Sequence, residues 1–109
     1  MSTHHRVFRL DELAAGSARR VTLDGIAIAV VRIDDDVYAI GDTCSHADVS
    51  LSEGFVDTEQ CAIECSRHGA YFDLATGGAL TLPAVKPVPR FDAAVLDGDV
   101  VITINEAGS

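Results

Sequence analysis

Basic residues are scarce in this chain. Eight Lys and Arg stand against seventeen Asp and Glu, a formal charge of −9 over 109 residues. Nucleic-acid affinity rests on Lys and Arg neutralising phosphates, so no nucleic-acid partner is expected. The acidity suits steering toward a basic patch on a partner protein, and equally a solvated surface that keeps the chain soluble. Long apolar runs are also missing. The longest, Ile26 to Val31, falls far short of the roughly 20 residues that cross a bilayer, and the start has no apolar signal region. A soluble, cytoplasmic protein with no membrane partner is expected. There are three cysteines and no secretion signal, which argues against a disulfide framework and for metal or redox use. No nucleotide-binding glycine fingerprint is present, nor an evident nucleophile with its base, so the chain is not expected to be an enzyme in its own right.

A sustained helical period is the last absence: no stretch keeps an apolar stripe over three turns. Short β-prone runs separated by turn signals fill the chain instead, which predicts an all-β fold. The length suits one domain, 1–109, with a single modest core. Strands are expected at Val7–Leu10, Arg20–Leu23, Ile26–Ile33, Val37–Ile40, Ala62–Cys65, Ala70–Leu74, Phe91–Leu96 and Val100–Ile104. Ala47 to Glu64 should carry part of a loop and a return strand. Asp24-Gly25 and Asp97-Gly98-Asp99 sit where tight hairpin turns belong, because Gly and Asp tolerate positive φ. A brief helical turn is expected at Asp11–Ala15, and an irregular, stiff loop around Pro83, Pro87 and Pro89. His4 and His5 fall in an N-terminus expected to fray, without a function.

Two short elements carry the chemistry: Cys44-Ser45-His46 and, eighteen residues later, Cys65-Ser66-Arg67-His68. They use two of the three cysteines and two of the four histidines. Each follows a predicted strand directly and so should occupy a loop, and the two loops must converge to share one metal site. Two thiolates and two imidazoles match the Rieske 2Fe-2S centre, in which two Cys hold one iron and two His the other. A tetrahedral Cys2His2 zinc site is the structural alternative, although the Cys44-x-His46 spacing suits a cluster edge better. With neutral imidazoles replacing two thiolates, the oxidised centre is formally uncharged, and an added electron meets less repulsion than in a four-thiolate ferredoxin. Gly41, Gly54 and Gly69 suit tight loops, whereas Gly77-Gly78 reads as ordinary turn chemistry. Cys61 reads as a buried small hydrophobe beside a strand. Arg67, between two ligands, suits partner docking or a plain solvated role alike.

The run Cys44-Ser45-His46-Ala47-Asp48, with Cys65-Ser66-Arg67-His68-Gly69 and Tyr71-Phe72-Asp73, resembles the Rieske-type ferredoxins, soluble electron carriers of bacterial aromatic-ring dioxygenase systems. The resemblance spans about Val7 to Ile104. It implies small antiparallel sheets with a cluster-binding subdomain inserted at roughly residues 43 to 82. It further implies that Cys44 and Cys65 bind the inner iron, and His46 and His68 the outer one. Respiratory Rieske proteins carry a disulfide at places matched here by Val49 and Arg67, and Ser and Tyr hydroxyls where this chain has Ala70 and Phe72. Each missing hydrogen bond to a sulfur leaves the reduced cluster less stabilised, which predicts a potential near about −150 mV. The implied role is a monomeric ferredoxin that takes single electrons from an NAD(P)H-dependent flavoprotein reductase and passes them to a terminal oxygenase. Service to iron-sulfur assembly or nitrite reduction, and a redox-sensing or zinc-stabilised binding module, are the competing readings. An oxygenase active site is excluded, because outside the motif only His4 and His5 remain for a mononuclear iron.

Overall fold

The computed structural model describes residues 2–42, 50–66, 69–80 and 88–105. Nine strands run through these residues: β1 (Ser2–Arg9), β2 (Ala18–Leu23), β3 (Ile26–Ile33), β4 (Asp36–Gly41), β5 (Phe55–Asp57), β6 (Ala62–Glu64), β7 (Tyr71–Asp73), β8 (Arg90–Leu96) and β9 (Asp99–Asn105). The larger sheet has the order β1-β9-β8-β4-β3-β2, and β5-β6-β7 form a second sheet whose strands fall between β4 and β8 in sequence. All pairings are antiparallel. The all-β expectation holds.

The two Asp-Gly pairs turn the hairpins of the larger sheet. Asp24 and Gly25 have φ of 51° and 78°, and Asp97 and Gly98 have 53° and 82°. Two consecutive left-handed residues match the natural twist of a two-residue hairpin. They set the registers Leu23↔Ile26 and Leu96↔Asp99.

The apolar run Ile26 to Val31 is continuous because β3 is covered on both faces. Ile28 and Val30 enter one core with Val37, Ala39, Val100, Ile102 and Ile104. Ala29 and Val31 enter the other with Ile40, Leu51, Ile63, Cys65, Phe72 and Leu74. Side chains alternate across a strand, so neighbours in sequence serve different cores. The first core is closed by the sheet's own edges. Val7 and Phe8 of β1 and Val21 and Leu23 of β2 pack against it. Arg19 lies 4.8 Å from the Phe8 ring centroid, and His5 Nε2 lies 3.4 Å from Asp24 Oδ2. The second core lies between the two sheets and underlies the site.

Three expectations need correction. His4 and His5 do not fray: β1 begins at Ser2, pairs His4 with Thr103 and His5 with Ile102, and places His4 Nδ1 2.9 Å from Thr103 Oγ1. Pairing with the strongly apolar β9 overrides the weak strand preference of the first residues. The helical turn is a 3-10 turn at Leu10–Glu12 rather than Asp11–Ala15. The Arg9 N–H donates to Glu12 Oε2 at 2.8 Å, tying its start. Gly77 is more than a turn residue: besides its φ of 79°, a Cβ there would stand 2.2 Å from the Val88 carbonyl oxygen. Pro83 and Pro87 lie outside the described residues.

Gly54 is tighter still, since a Cβ would meet the Glu64 carbonyl oxygen at 1.8 Å. The obstacle is backbone, so β5 could not keep its register against β6. Gly54→Ala is expected to cost about 2–3 kcal/mol in denaturant unfolding. Gly25→Ala, with nothing within 4 Å of the added carbon, should cost only about 1 kcal/mol for its positive φ. Equal losses at the two positions would contradict the close approach.

Candidate metal centre

Of the four predicted ligands the structure describes Cys65. Cys44, His46 and His68 lie outside the described residues, as do Val49, Arg67 and the Leu82-Pro83 segment. What the structure places are the anchors of the loops that carry them.

Cys65 follows β6 directly and is fully buried. Its N–H donates to the Ala70 carbonyl at 2.7 Å, and its carbonyl accepts the Gly69 N–H at 3.0 Å. Residues 65 and 70 therefore close a tight loop, in which Gly69 adopts a φ of 70°. That left-handed turn is the structural reason for glycine at this position. Cys65 belongs to the core cluster that also holds Leu51, Ile63, Ala70, Phe72, Leu74 and Val88. Ala70 and Phe72 are both completely buried. Neither side chain carries a hydroxyl that could donate to a sulfur.

The first loop is closed at its base by Asp42, a residue that sequence reasoning missed. Asp42 follows β4 and is 2% exposed, the one buried charged residue among those described. Its Oδ1 accepts the Ser52 N–H at 2.9 Å, and its Oδ2 accepts the Ser50 hydroxyl. Arg20 Nε approaches the same carboxylate at 3.5 Å. The backbone repeats the connection: Asp42 N–H donates to the Ala27 carbonyl at 3.0 Å, and the Asp42 carbonyl accepts from Leu51. Both ends of the segment 43–49 are thereby fixed to the 3-10 turn Leu51–Glu53 and to β3. The only sequence signal was a carboxylate two positions before Cys44, with Ser50 and Ser52 beyond the loop.

The third undescribed segment, 81–87, is anchored through Val88, whose N–H donates to the Gly77 carbonyl at 2.8 Å. Leu51, Cys65, Ala70 and Val88 all belong to one core cluster. Described residues flanking all three segments thus contribute to one core. A solvent-excluded thiol in hydrocarbon, in a chain that supplies a second thiol and two imidazoles at motif spacing, fits a mixed Cys/His iron-sulfur centre.

Cys61 lies beside β6 with a φ of 54° and is half-buried rather than buried. Its interaction with the Tyr38 hydroxyl, then burial and the nearby charges, holds the Tyr38 phenol above its usual pKa. The contact ties the larger sheet to the smaller one and lies outside the predicted ligand set.

The model of the Rieske [2Fe-2S] domain family matches residues 3–92 of the chain. The chain is 40% identical over 102 residues to the 3-phenylpropionate/cinnamic acid dioxygenase ferredoxin subunit of Photorhabdus laumondii, covering 92% of this chain and 93% of that one. Among solved structures, the ferredoxin of carbazole 1,9a-dioxygenase from Nocardioides aromaticivorans IC177 superposes with a TM-score of 0.89 at 39% identity, covering 92% of this chain and 96% of that one. A ferredoxin solved in complex with the reduced oxygenase of carbazole 1,9a-dioxygenase superposes at 0.84 with 36% identity, covering 91% of each chain.

Proposed function

The chain belongs to the Rieske [2Fe-2S] domain family, and from that premise we propose that it is a cytoplasmic, monomeric ferredoxin that carries single electrons from an NAD(P)H-dependent flavoprotein reductase to a terminal oxygenase. Its cofactor is a Rieske 2Fe-2S cluster, which when bound takes up and returns one electron. In this reading Cys44 and Cys65 hold the inner iron and His46 and His68 the outer one. The chain is one domain, with the cluster-binding subdomain at roughly residues 43–82. The observation that carries the ligand assignment is the buried Cys65 thiol at the root of its hydrogen-bonded loop. The oxygenase as electron acceptor is supported by relatives named as dioxygenase ferredoxin subunits and by the relative solved with an oxygenase.

The protein contributes insulation, position and charge. Leu51, Ile63 and Phe72 belong to the buried core that holds Cys65 and would keep water from that side of a bound cluster. Asp42 and the Cys65–Ala70 pair hold the loop roots, so little rearrangement should accompany an electron's arrival. Low-temperature EPR before and after dithionite, with iron and zinc assayed on the same sample, tests the assignment. A reduced-state signal with average g near about 1.9 and about two irons per chain is expected. One zinc per chain and no signal would overturn it.

The apolar lining also sets the working range. Without hydroxyl donors from residues 70 and 72, the midpoint should lie near about −150 mV. Ala70→Ser and Phe72→Tyr should each raise it on the order of 59 mV, a factor of ten in equilibrium for one electron. A wild-type midpoint above about +100 mV, or variants that move downward, would refute the hydrogen-bond account.

A further inference from the structure

One cross-strand row at the end of the small sheet has an exposed apolar side chain at each end and half-buried Glu64 and Tyr71 between them. Phe55 stands opposite Glu64, and Glu64 opposite Tyr71. The row continues to Leu80, whose N–H donates to the Tyr71 carbonyl at 2.8 Å, beside the Phe72–Ala79 bridge. Val56, Ile63 and Phe72 face the core, so the alternation of side chains sets Phe55, Glu64, Tyr71 and Leu80 on the outer face. Phe55 is 61% exposed and Leu80 48%. The other exposed large apolar side chains among the described residues, Ile26 and Leu96, sit apart beside hairpin turns of the larger sheet.

Two further features single this row out. It is the row nearest the metal centre: Cys65 follows Glu64, and Ala70 precedes Tyr71. Among the described residues, the segments that build this sheet also carry charge of one sign. Residues 50–66 and 69–80 contain Glu53, Asp57, Glu59, Glu64 and Asp73 and neither Lys nor Arg. Exposed large apolar side chains interspersed with polar ones mark interaction sites. Central anchors carry the affinity of such a site, while the rim charges set encounter rate and orientation.

We propose that the Phe55–Glu64–Tyr71–Leu80 row is the docking surface for a redox partner whose own surface sets apolar side chains beside Lys and Arg. Phe55 and Leu80 make the apolar contacts at the two ends of the row, and Glu53 and the intervening Glu64 meet the basic groups. A partner seated there contacts the chain one residue from Cys65. The inference rests on the electron-carrier reading and deepens it.

The probe is a cationic c-type cytochrome, mixed in stopped flow with the dithionite-reduced, cluster-loaded protein over a range of ionic strength. The Phe55→Ser, Leu80→Ser double variant should lower the second-order rate constant about tenfold. The Glu53→Gln, Glu64→Gln pair should flatten its salt dependence. Ile26→Ser with Leu96→Ser should leave both unchanged. EPR and midpoint potential are recorded for every variant, so the two possible failures stay separate. A wild type without a reduced-state signal would sink the carrier reading itself. An intact signal with wild-type rates in the row variants, or equal slowing in the Ile26 and Leu96 control, would overturn the docking surface alone. Should the serine variant lose its cluster, the carboxamide pair decides: an unchanged salt slope overturns the proposal.

Discussion

Serine in place of Cys65 is expected to give a colourless chain with at least tenfold less bound iron and no reduced-state EPR signal. Changing a residue that merely supports a ligand costs 10- to 100-fold in metal affinity, and here the donor atom itself would change. A thiolate is soft and suits an iron-sulfur centre, whereas a hydroxyl oxygen is a hard, poor substitute. The site offers no compensation. Cys65 is fully buried among Leu51, Ile63, Phe72 and Leu74, so an unligated serine hydroxyl would cost about 1–3 kcal/mol on top of the lost metal bond. Cys61→Ser is the matched control. That residue is half-buried and interacts with the Tyr38 hydroxyl, as a serine hydroxyl also can. Iron and signal should survive in it. Iron retained in the Cys65 variant and lost in the Cys61 variant would exchange the roles of the two cysteines.

How much of this was legible in the sequence depends on how local the cause is. The Asp24-Gly25 and Asp97-Gly98 hairpins were readable because φ above zero is a property of the residues themselves. The strand Ile26–Ile33 was readable because burial of Ile28–Val31 on both faces writes an apolar run from Ile26 to Val31. β1 was not, since His4 and His5 become strand only by pairing with β9, almost a hundred positions away. β5 was foreseen only as an unplaced return strand: it has three residues, and its Phe55 points outward against the usual pattern. Gly54 and Gly77 read as loop glycines. What fixes them is the passage of the Glu64 and Val88 carbonyls close by, which no spacing reveals. The Cys/His motif was legible because ligand type and spacing are chemistry written in sequence. Asp42 was not, because a carboxylate in a chain with seventeen acidic residues gives no sign that it is the buried one.

Asp42→Ala should therefore do more harm than any surface carboxylate would. It removes the acceptor of the Ser52 N–H and one of the two partners of the Ser50 hydroxyl, which keeps Ser52 Oγ at 2.8 Å. The unpaired, part-buried N–H at the root of the first ligand loop is expected to cost about 1–3 kcal/mol in unfolding stability. Loosening both ends of residues 43–49 together should also shorten cluster lifetime about tenfold, in line with other supporting residues of metal sites. Asp42→Asn separates geometry from charge. Its carbonyl can still accept the Ser52 N–H, and its amide can donate to Ser50. What it loses is the attraction of Arg20, which lies 3.5 Å away with its own side chain 59% exposed. Pairs of that kind contribute about 0–1 kcal/mol, so the asparagine variant should keep its cluster and lie within about 1 kcal/mol of the wild type. Denaturant unfolding and the decay of visible absorbance under chelator, measured on both variants, decide the matter. If asparagine proves as damaging as alanine, the carboxylate acts through its charge. If alanine proves harmless, the loop is held elsewhere and the hydrogen bonds of Asp42 are incidental to it.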